Sequence, residues 1–265
     1  MLSVERQTII TDMIAKERLV KVTDLTQLFS VSEMTIRRDL DALEKKGVLR
    51  KVYGGAVAET LPGLEDVQDV PLDVRSSKRS AEKQAIARRA VDFIEANDVI
   101  FLDAGTTTVE IARLIRHRAD VVVITNSLLA AYELTSSAVT LILIGGQVRS
   151  TTQSVVGVKA TQFISDFVVS TCFIGASGLS VENGLMNTNL DESELKRRMI
   201  RQSDRSILVA DTSKFYSPQS YHKFAEWSDV DIFVTDDGLP PEDEQKLRQF
   251  GPNVIVVPGK EGHSE

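Results

Sequence analysis

Seven short runs rich in Val, Ile and Leu recur through the later part of the chain, at residues 99–102, 121–124, 139–144, 168–174, 206–210, 232–235 and 254–257. Stretches with helical spacing of apolar residues lie among them, at 78–94, 109–115, 128–134, 192–200 and 242–250. Runs this short are strand-length, and they lack the alternation of a sheet wetted on one side. They therefore predict a mostly parallel sheet covered by helices on both faces, an α/β fold. In such open sheets ligands sit outside the carboxyl ends of the strands. The residues that follow each run are the candidate binding residues.

After the first run comes Asp103-Ala104-Gly105-Thr106-Thr107-Thr108, opening the next helix. Gly105 permits close backbone approach. The threonine hydroxyls and the free N–H groups of a helix N-terminus suit a phosphate, although an ordinary strand-to-helix turn with threonine caps reads the same way. Thr125-Asn126-Ser127 follows the second run, and Gly145-Gly146-Gln147-Val148-Arg149 the third, where Arg149 either pairs an anion or is a surface cation in a turn. Asp211-Thr212-Ser213-Lys214-Phe215 brings a lysine to a fourth strand end. Four such loops favour an anionic polyol, such as a sugar phosphate, over four unrelated turns.

The first 58 residues have a different grain. Ile9, Ile10, Met13 and Ile14 share a helical face; a short β-prone segment, 19–22, follows. Thr23 is placed to cap a second helix with Leu25, Leu28 and Phe29 as its apolar stripe, and Ser32 to cap a third. In the third helix Ile36, Leu40 and Leu43 fall on one face, leaving Met34, Thr35, Arg37, Arg38 and Asp41 elsewhere. A basic hairpin at 48–57 carries Arg50, Lys51 and Tyr53. Helix, strand, helix, tight turn, helix, hairpin is the order of a winged helix-turn-helix, with the helix-turn-helix at about 20–39. Ser32, Met34, Thr35, Arg37 and Arg38 would face the major groove of duplex DNA, and the wing cations its phosphates. A solvated amphipathic helix with ordinary surface arginines is the plainer alternative. Gly54-Gly55 can be a simple exit from the hairpin.

Thr35-Ile36-Arg37-Arg38-Asp39-Leu40, then Leu43, Gly47 and the Lys51-Val52-Tyr53-Gly54-Gly55-Ala56 ending, resemble the N-terminal domain of the DeoR family of bacterial transcription regulators. Tyr53 stands where many members carry His. The resemblance continues through AspAlaGlyThrThrThr, ThrAsnSer, GlyGlyxxxArg, the IGASGL run and AspThrSerLysPhe, which look like that family's sensor domain. It implies a fold similar to ribose-5-phosphate isomerase and a phosphorylated sugar as effector. By that analogy Gly105 to Thr108 hold the phosphate, and Thr125, Asn126, Gly145, Arg149 and Lys214 line the pocket. Asp191, Glu192 and Glu194 follow a lid loop at 180–190 and either bond sugar hydroxyls or form the negative first turn of a helix. The implied organisation is a DNA-binding head at 1–58, a linker at 59–75 containing Pro62, Gly63 and Pro71, a sensor at 76–258 and a polar, disordered tail at 259–265.

Net charge is -7, which at first argues against DNA. Its distribution does not: residues 1–58 hold 10 basic against 8 acidic side chains, and the remainder 21 against 30. A mildly basic head on an acidic body fits contact with DNA through one small face. No stretch reaches the ~18 apolar residues of a membrane span, and MLSVERQT lacks a signal-peptide pattern, so the expected location is cytoplasmic. Cys172, the single cysteine, reads as a buried small side chain. Three scattered histidines suggest no metal motif, and no cofactor is expected.

The leading expectation is a repressor of carbohydrate-metabolism genes that binds operator DNA under the control of a sugar phosphate. It acts as a homodimer or homotetramer, because one winged helix buries too little surface for tight specific binding. No coiled-coil heptads are present, which places the interface on the sensor. Two alternatives stand beside it: a sugar-phosphate isomerase with a DNA-binding head, and an architectural protein with a vestigial pocket. Isomerisation needs a carboxylate base at the carbon-bound proton. The isomerases carry an Asp-Gly-Ala-Asp pattern where this chain has Ile174-Gly175-Ala176-Ser177, and 185–189 contain no lysine. No catalytic residue is expected.

Overall fold

The computed structural model describes residues 3–17, 19–29, 31–45, 49–52, 55–58, 72–217 and 220–259. Two compact units divide at Gln68 and Asp69. The first contains α1 (Ser3–Glu17), β1 (Leu19–Lys21), α2 (Val22–Phe29), α3 (Glu33–Lys45), β2 (Leu49–Val52) and β3 (Gly55–Ala58), with an antiparallel sheet in the order β1-β3-β2. Ile36, Leu40 and Leu43 on α3 are buried with Ile10, Leu25 and Leu49. The Thr35 N–H donates to Ser32 Oγ at 3.3 Å, so Ser32 caps α3 as its position predicts. Thr23 does not cap α2. That helix opens at Val22, and the Thr23 hydroxyl donates to Asp24 instead.

Beneath α3, Arg6 Nε donates to Asp39 Oδ2 at 2.6 Å, both side chains being buried. Burial alone would raise the Asp39 pKa, but hydrogen bonds from Arg6, Ser3 and Gln7 prevail and hold it below 3.8. A depressed carboxylate stabilises the fold above its unfolded pKa and loses that contribution as pH falls through the folded one. The head is therefore expected to loosen in acid below pH 4. Hydrogen exchange of α3 amides in the full chain, corrected for intrinsic rates, should show this, and Asp39→Ala should remove most of the pH dependence.

The second unit contains α4 (Leu72–Ser77), α5 (Ser80–Val91), β4 (Val99–Leu102), α6 (Thr106–Leu114), β5 (Val122–Thr125), α7 (Leu128–Thr135), β6 (Thr140–Leu143), β7 (Gln147–Arg149), β8 (Ser154–Val156), α8 (Val158–Ile164), β9 (Val169–Ile174), β10 (Gly178–Ser180), β11 (Gly184–Asn187), α9 (Leu190–Arg201), β12 (Ser203–Val209), β13 (His222–Ala225), β14 (Ile232–Asp236), α10 (Pro241–Phe250) and β15 (Asn253–Val257). Seven strands form one parallel sheet in the order β15-β14-β12-β9-β4-β5-β6. Successive residues of each strand feed opposite faces. Ile100 and Leu102 pack with Ile86, Ile111 and Leu134 on one side, while Phe101 and Cys172 pack with Ile164, Met199 and Leu247 on the other. Burial pushes the Cys172 thiol up to about 12, leaving it an inert core side chain.

Strand order reverses at β4: β5 and β6 lie on one side of it, β9 and the later strands on the other. The crevice at the carboxyl ends of β4 and β9 is thus the switch point where ligands of such sheets bind.

Three expectations are corrected here. The predicted linker at 59–75 ends in structure, because α4 occupies Leu72–Ser77; residues 59–71 lie outside the described residues, as do 260–265 of the predicted tail. The helix expected at 78–94 is shorter, Ser80–Val91, and is separated from α4 by Arg79 at φ 52°. That left-handed residue is held by an Arg79–Asp236 ion pair of 2.5 Å. The expected lid loop at 180–190 is a β-ribbon: β11 is hydrogen-bonded between β10 and β13 and mostly buried. A polar sequence with few β-branched residues hid it.

Candidate functional site

On the head, α3 buries Ile36, Leu40 and Leu43 and exposes Met34, Arg37 and Arg38, with Thr35 half-buried and Ser32 at its start. Arg37 reaches back to Glu33 at 3.2 Å. Both groups are well exposed, so that pair is weak and exchanges readily for a phosphate. Lys51 is exposed and ion-paired with Asp41, with Glu44 at 3.8 Å. The Glu44 carboxylate also accepts the Lys51 N–H at 2.8 Å, which fixes the first wing strand to α3. Tyr53 lies outside the described residues, as does the side chain of Arg50.

In the second unit a cavity of about 30 Å³ opens at the switch point. Its walls come from Gly105 to Thr108 after β4, Gly175 to Ser177 after β9, Val209 at the end of β12 with Ala210 and Lys214 beyond it, Asn187 at the end of β11, Glu192 and Lys196 on α9, Thr152, and Arg75 on α4. One end is a concentration of donors. The N-cap of α6 is Gly105, which has no side chain to cap the helix, so its first N–H groups stay available. Gly105 is extended, so any residue could adopt its conformation, but a Cβ there would sit 3.3 Å from Thr108 Oγ1. Lys214 stands on the same wall. Burial lowers its pKa, and Arg75 and Lys78 lower it further against the pull of Asp211.

The other end is a tied network. Glu192 Oε1 accepts from Arg149 (2.7 Å), Thr152 (2.6 Å) and Ser154 (2.8 Å), and Oε2 from Asn187 Nδ2 (2.8 Å). Burial raises its pKa, yet Lys196, Arg149 and these hydroxyls overcome that and keep it ionised. Lys196 Nζ bonds Asp103 and the Gly175 carbonyl (3.0 Å). The Gly175 N–H donates to Asp103 Oδ2 at 3.1 Å. Burial pushes the Asp103 pKa up, opposed by Lys196 and that N–H. Neither carboxylate is a poised base: one is tied to a lysine, and the other is held ionised by four donors.

Of the residues expected to hold an effector, the cavity brings together Gly105, Thr106, Thr107, Thr108, Glu192 and Lys214. The Thr108 hydroxyl hydrogen is shared between the Asp103 and Gly105 carbonyls, so that hydroxyl is not a free donor to the cavity. The other expected residues do not line the cavity. Asp103 sits behind it, binding Lys196. Thr125 donates to the Leu102 carbonyl at 2.5 Å and accepts from the Ser127 N–H, which commits its hydroxyl to the turn. Asn126 is buried nearby. Gly145 is exposed, and Gly146 is glycine for packing: at φ 159° a Cβ would fall 2.7 Å from the Val156 carbonyl oxygen. Arg149 acts through Glu192. Glu194 pairs with Arg197 at 2.8 Å on the outer side of α9. Sequence reasoning missed Lys196, Asn187, Ser177, Thr152 and Arg75. Lys196 could have been found, because it lies one turn from Glu192 on the same helix face, whereas Glu194 at i+2 points away.

A winged helix-turn-helix head joined to a parallel sheet with a donor-rich cavity at its switch point defines a DNA-binding regulator with a ligand-sensing domain. Family models agree: a DeoR-like helix-turn-helix domain matches residues 6–60, and a DeoR C-terminal sensor domain matches 78–237. The chain belongs to the DeoR family of transcriptional regulators. An Escherichia coli O157:H7 protein named for repression of the aga operon is 37% identical over 96% of this chain and 93% of its own length. The HTH-type transcriptional regulator GlpR of Haloferax volcanii is 33% identical over 96% of this chain and 98% of its own. Ribose 5-phosphate isomerase A from Methanocaldococcus jannaschii overlays 52% of this chain and 55% of its own at 17% identity, with a TM-score of 0.39. The chain is a DNA-binding transcriptional regulator, as both family models give it. No described helix is long and apolar enough to cross a membrane.

Proposed function

We propose that this protein is a cytoplasmic repressor of carbohydrate-metabolism genes whose operator affinity falls when a phosphorylated sugar enters the second unit. One observation carries the reading. The half-buried Lys214 ammonium shares a cavity wall with the uncapped N-terminus of α6, and Arg75 adds a second cation there. Cations and aligned N–H groups in a desolvated recess suit a phosphate dianion. At the far end Glu192, Asn187, Ser177 and Thr152 offer a neutral, hydrogen-bonding wall, because Glu192 is offset by Arg149 and Lys196. A phosphate at one end and hydroxyls at the other describe a phosphorylated polyol. Ligand and operator then oppose each other by linkage, through differing preference for the two arrangements of the protein. A homodimer or homotetramer would supply paired half-sites.

The test is thermal denaturation of the full chain with ribose 5-phosphate, fructose 6-phosphate, sorbitol 6-phosphate and glyceraldehyde 3-phosphate, beside their unphosphorylated parents, followed by operator titration with any stabilising compound. Stabilisation by at least one phosphate ester, absent with its parent, and weaker operator binding are expected. No stabilisation by any of them would end the reading.

The DNA face has its own test. Arg37→Ala and Arg38→Ala each remove a cation from the exposed side of α3. Each should weaken operator binding about tenfold, by ~1–3 kcal/mol if the arginine reads a base, and flatten the salt dependence by about one counterion if it meets a phosphate. Unchanged affinity in both variants, measured by fluorescence anisotropy at two salt concentrations, would remove α3 from this role.

A further inference from the structure

Arg75 sits on α4, the first described element after the segment that follows the head, and it reaches the same cavity wall as Lys214. Three ties join this short helix to the cavity and to α5. The Leu72 N–H, at its start, donates to the Thr151 carbonyl at 3.2 Å, and the adjacent Thr152 hydroxyl bonds Glu192. The Arg75 side chain lines the cavity itself. Lys83, buried on α5, donates from Nζ to the carbonyls of Arg75 and Lys78 (2.6 Å to the latter), holding the end of α4 against α5.

The cavity is also narrow, leaving about 30 Å³ for the centres of water-sized spheres between its walls. Strand ends and α6 are anchored in the two hydrophobic clusters, whereas α4 contributes only Leu72 to the buried side chains that the structure describes. Of the elements that wall the cavity, α4 is the one that comes first in sequence after the DNA-binding head.

We propose that Arg75 contacts the phosphate of the effector and that α4, drawn by this contact, is the element through which occupancy alters operator binding. The inference rests on the phosphorylated-polyol reading above. Arg75 and Lys214 then differ in kind. Both hold the anion, but only Arg75 belongs to the segment that transmits its presence. Losing Lys214 shifts the dose–response curve and leaves its amplitude. Losing Arg75 shifts the curve and shrinks the amplitude, because a ligand bound equally well to both arrangements moves nothing.

The experiment compares full-length wild type, Arg75→Ala, Arg75→Lys and Lys214→Ala, titrated with the best-stabilising phosphate ester of the four named. Thermal shift reads binding, and the ratio of operator Kd with and without saturating ester reads coupling. For Lys214→Ala the half-maximal concentration should rise at least tenfold with the full ratio recovered at saturation. For Arg75→Ala it should rise similarly while the ratio falls toward one; Arg75→Lys should recover part of both. Wild-type amide exchange over 72–77 should slow on ligand addition, a reading that no variant's folding can confound. A full ratio at saturation in Arg75→Ala, or unchanged exchange in α4, would overturn the inference while leaving effector binding intact. Failure of all four esters to stabilise wild type would instead sink the underlying reading, and this inference with it.

Discussion

Replacing Lys214 with Met is expected to leave a regulator that no longer answers its effector at concentrations that fully switch the wild type. A charge-assisted contact in a desolvated site is worth about 1.5–3 kcal/mol, so the ester's affinity should fall roughly 10- to 150-fold. Methionine keeps most of the stem's apolar packing, which separates loss of charge from loss of volume. The sign of the pH dependence follows from burial. The free protein holds Lys214 below 10.5, and a bound dianion must raise it again. Binding therefore takes up a proton wherever the free lysine is partly neutral, and affinity falls as pH rises through the depressed value. Isothermal calorimetry in two buffers of different ionisation enthalpy measures that uptake. It should appear at alkaline pH in the wild type and be absent in Lys214→Met. Equal affinity in the two proteins would detach the anion from this wall.

How much of this was legible beforehand depends on the physics each segment obeys. Most of the parallel strands announced themselves, since strands covered on both faces read as short apolar runs, here at strand length and separated by helical stretches. The third helix of the head was equally open, its buried stripe fixed by Ile36, Leu40 and Leu43 and its cap by Ser32. The small antiparallel strands were not. β7, β8, β10 and β11 are only three or four residues long, and their pairing is set by what they pack on. At the cavity, residues adjacent to strand ends were visible because topology alone delivers them there. Thr152 and Asn187 arrive through the unforeseen hairpins, and Arg75 through a helix lying where proline and glycine suggested a linker. The choice of Glu194 over Lys196 was avoidable. Helical spacing already put Lys196 beside Glu192 and turned Glu194 outward.

That same spacing sets up the largest stability effect expected of any single change. Asp103 and Lys196 are both almost wholly buried, at the floor of the switch-point crevice. Asp103→Ala leaves a buried ammonium without its ion-pair partner, with the Gly175 carbonyl, the face of Phe224 at 5.7 Å from Nζ and the more distant charge of Glu192 as compensation. Breaking one side of such a pair is strongly destabilising, about 3–5 kcal/mol. For a sheet unit of this size that corresponds to roughly a 10 °C drop in Tm, at ~2–4 °C per kcal/mol. Removing both charges together, as Asp103→Leu with Lys196→Met, should return most of the loss, because a buried pair contributes little net stability over apolar groups of similar volume. The double variant answers a second question. Lys196 and Glu192 share the cavity wall, and without the lysine Glu192 keeps Arg149, Thr152, Ser154 and Asn187. If the pair serves only to hold the crevice together, the restored protein still binds the phosphate ester. If the Lys196 cation balances Glu192 so that neutral hydroxyls can approach, affinity stays low although stability has recovered. Calorimetric unfolding read beside ligand titration separates the two. A single Asp103→Ala variant as stable as the wild type would mean that the two charges are not buried against each other at all.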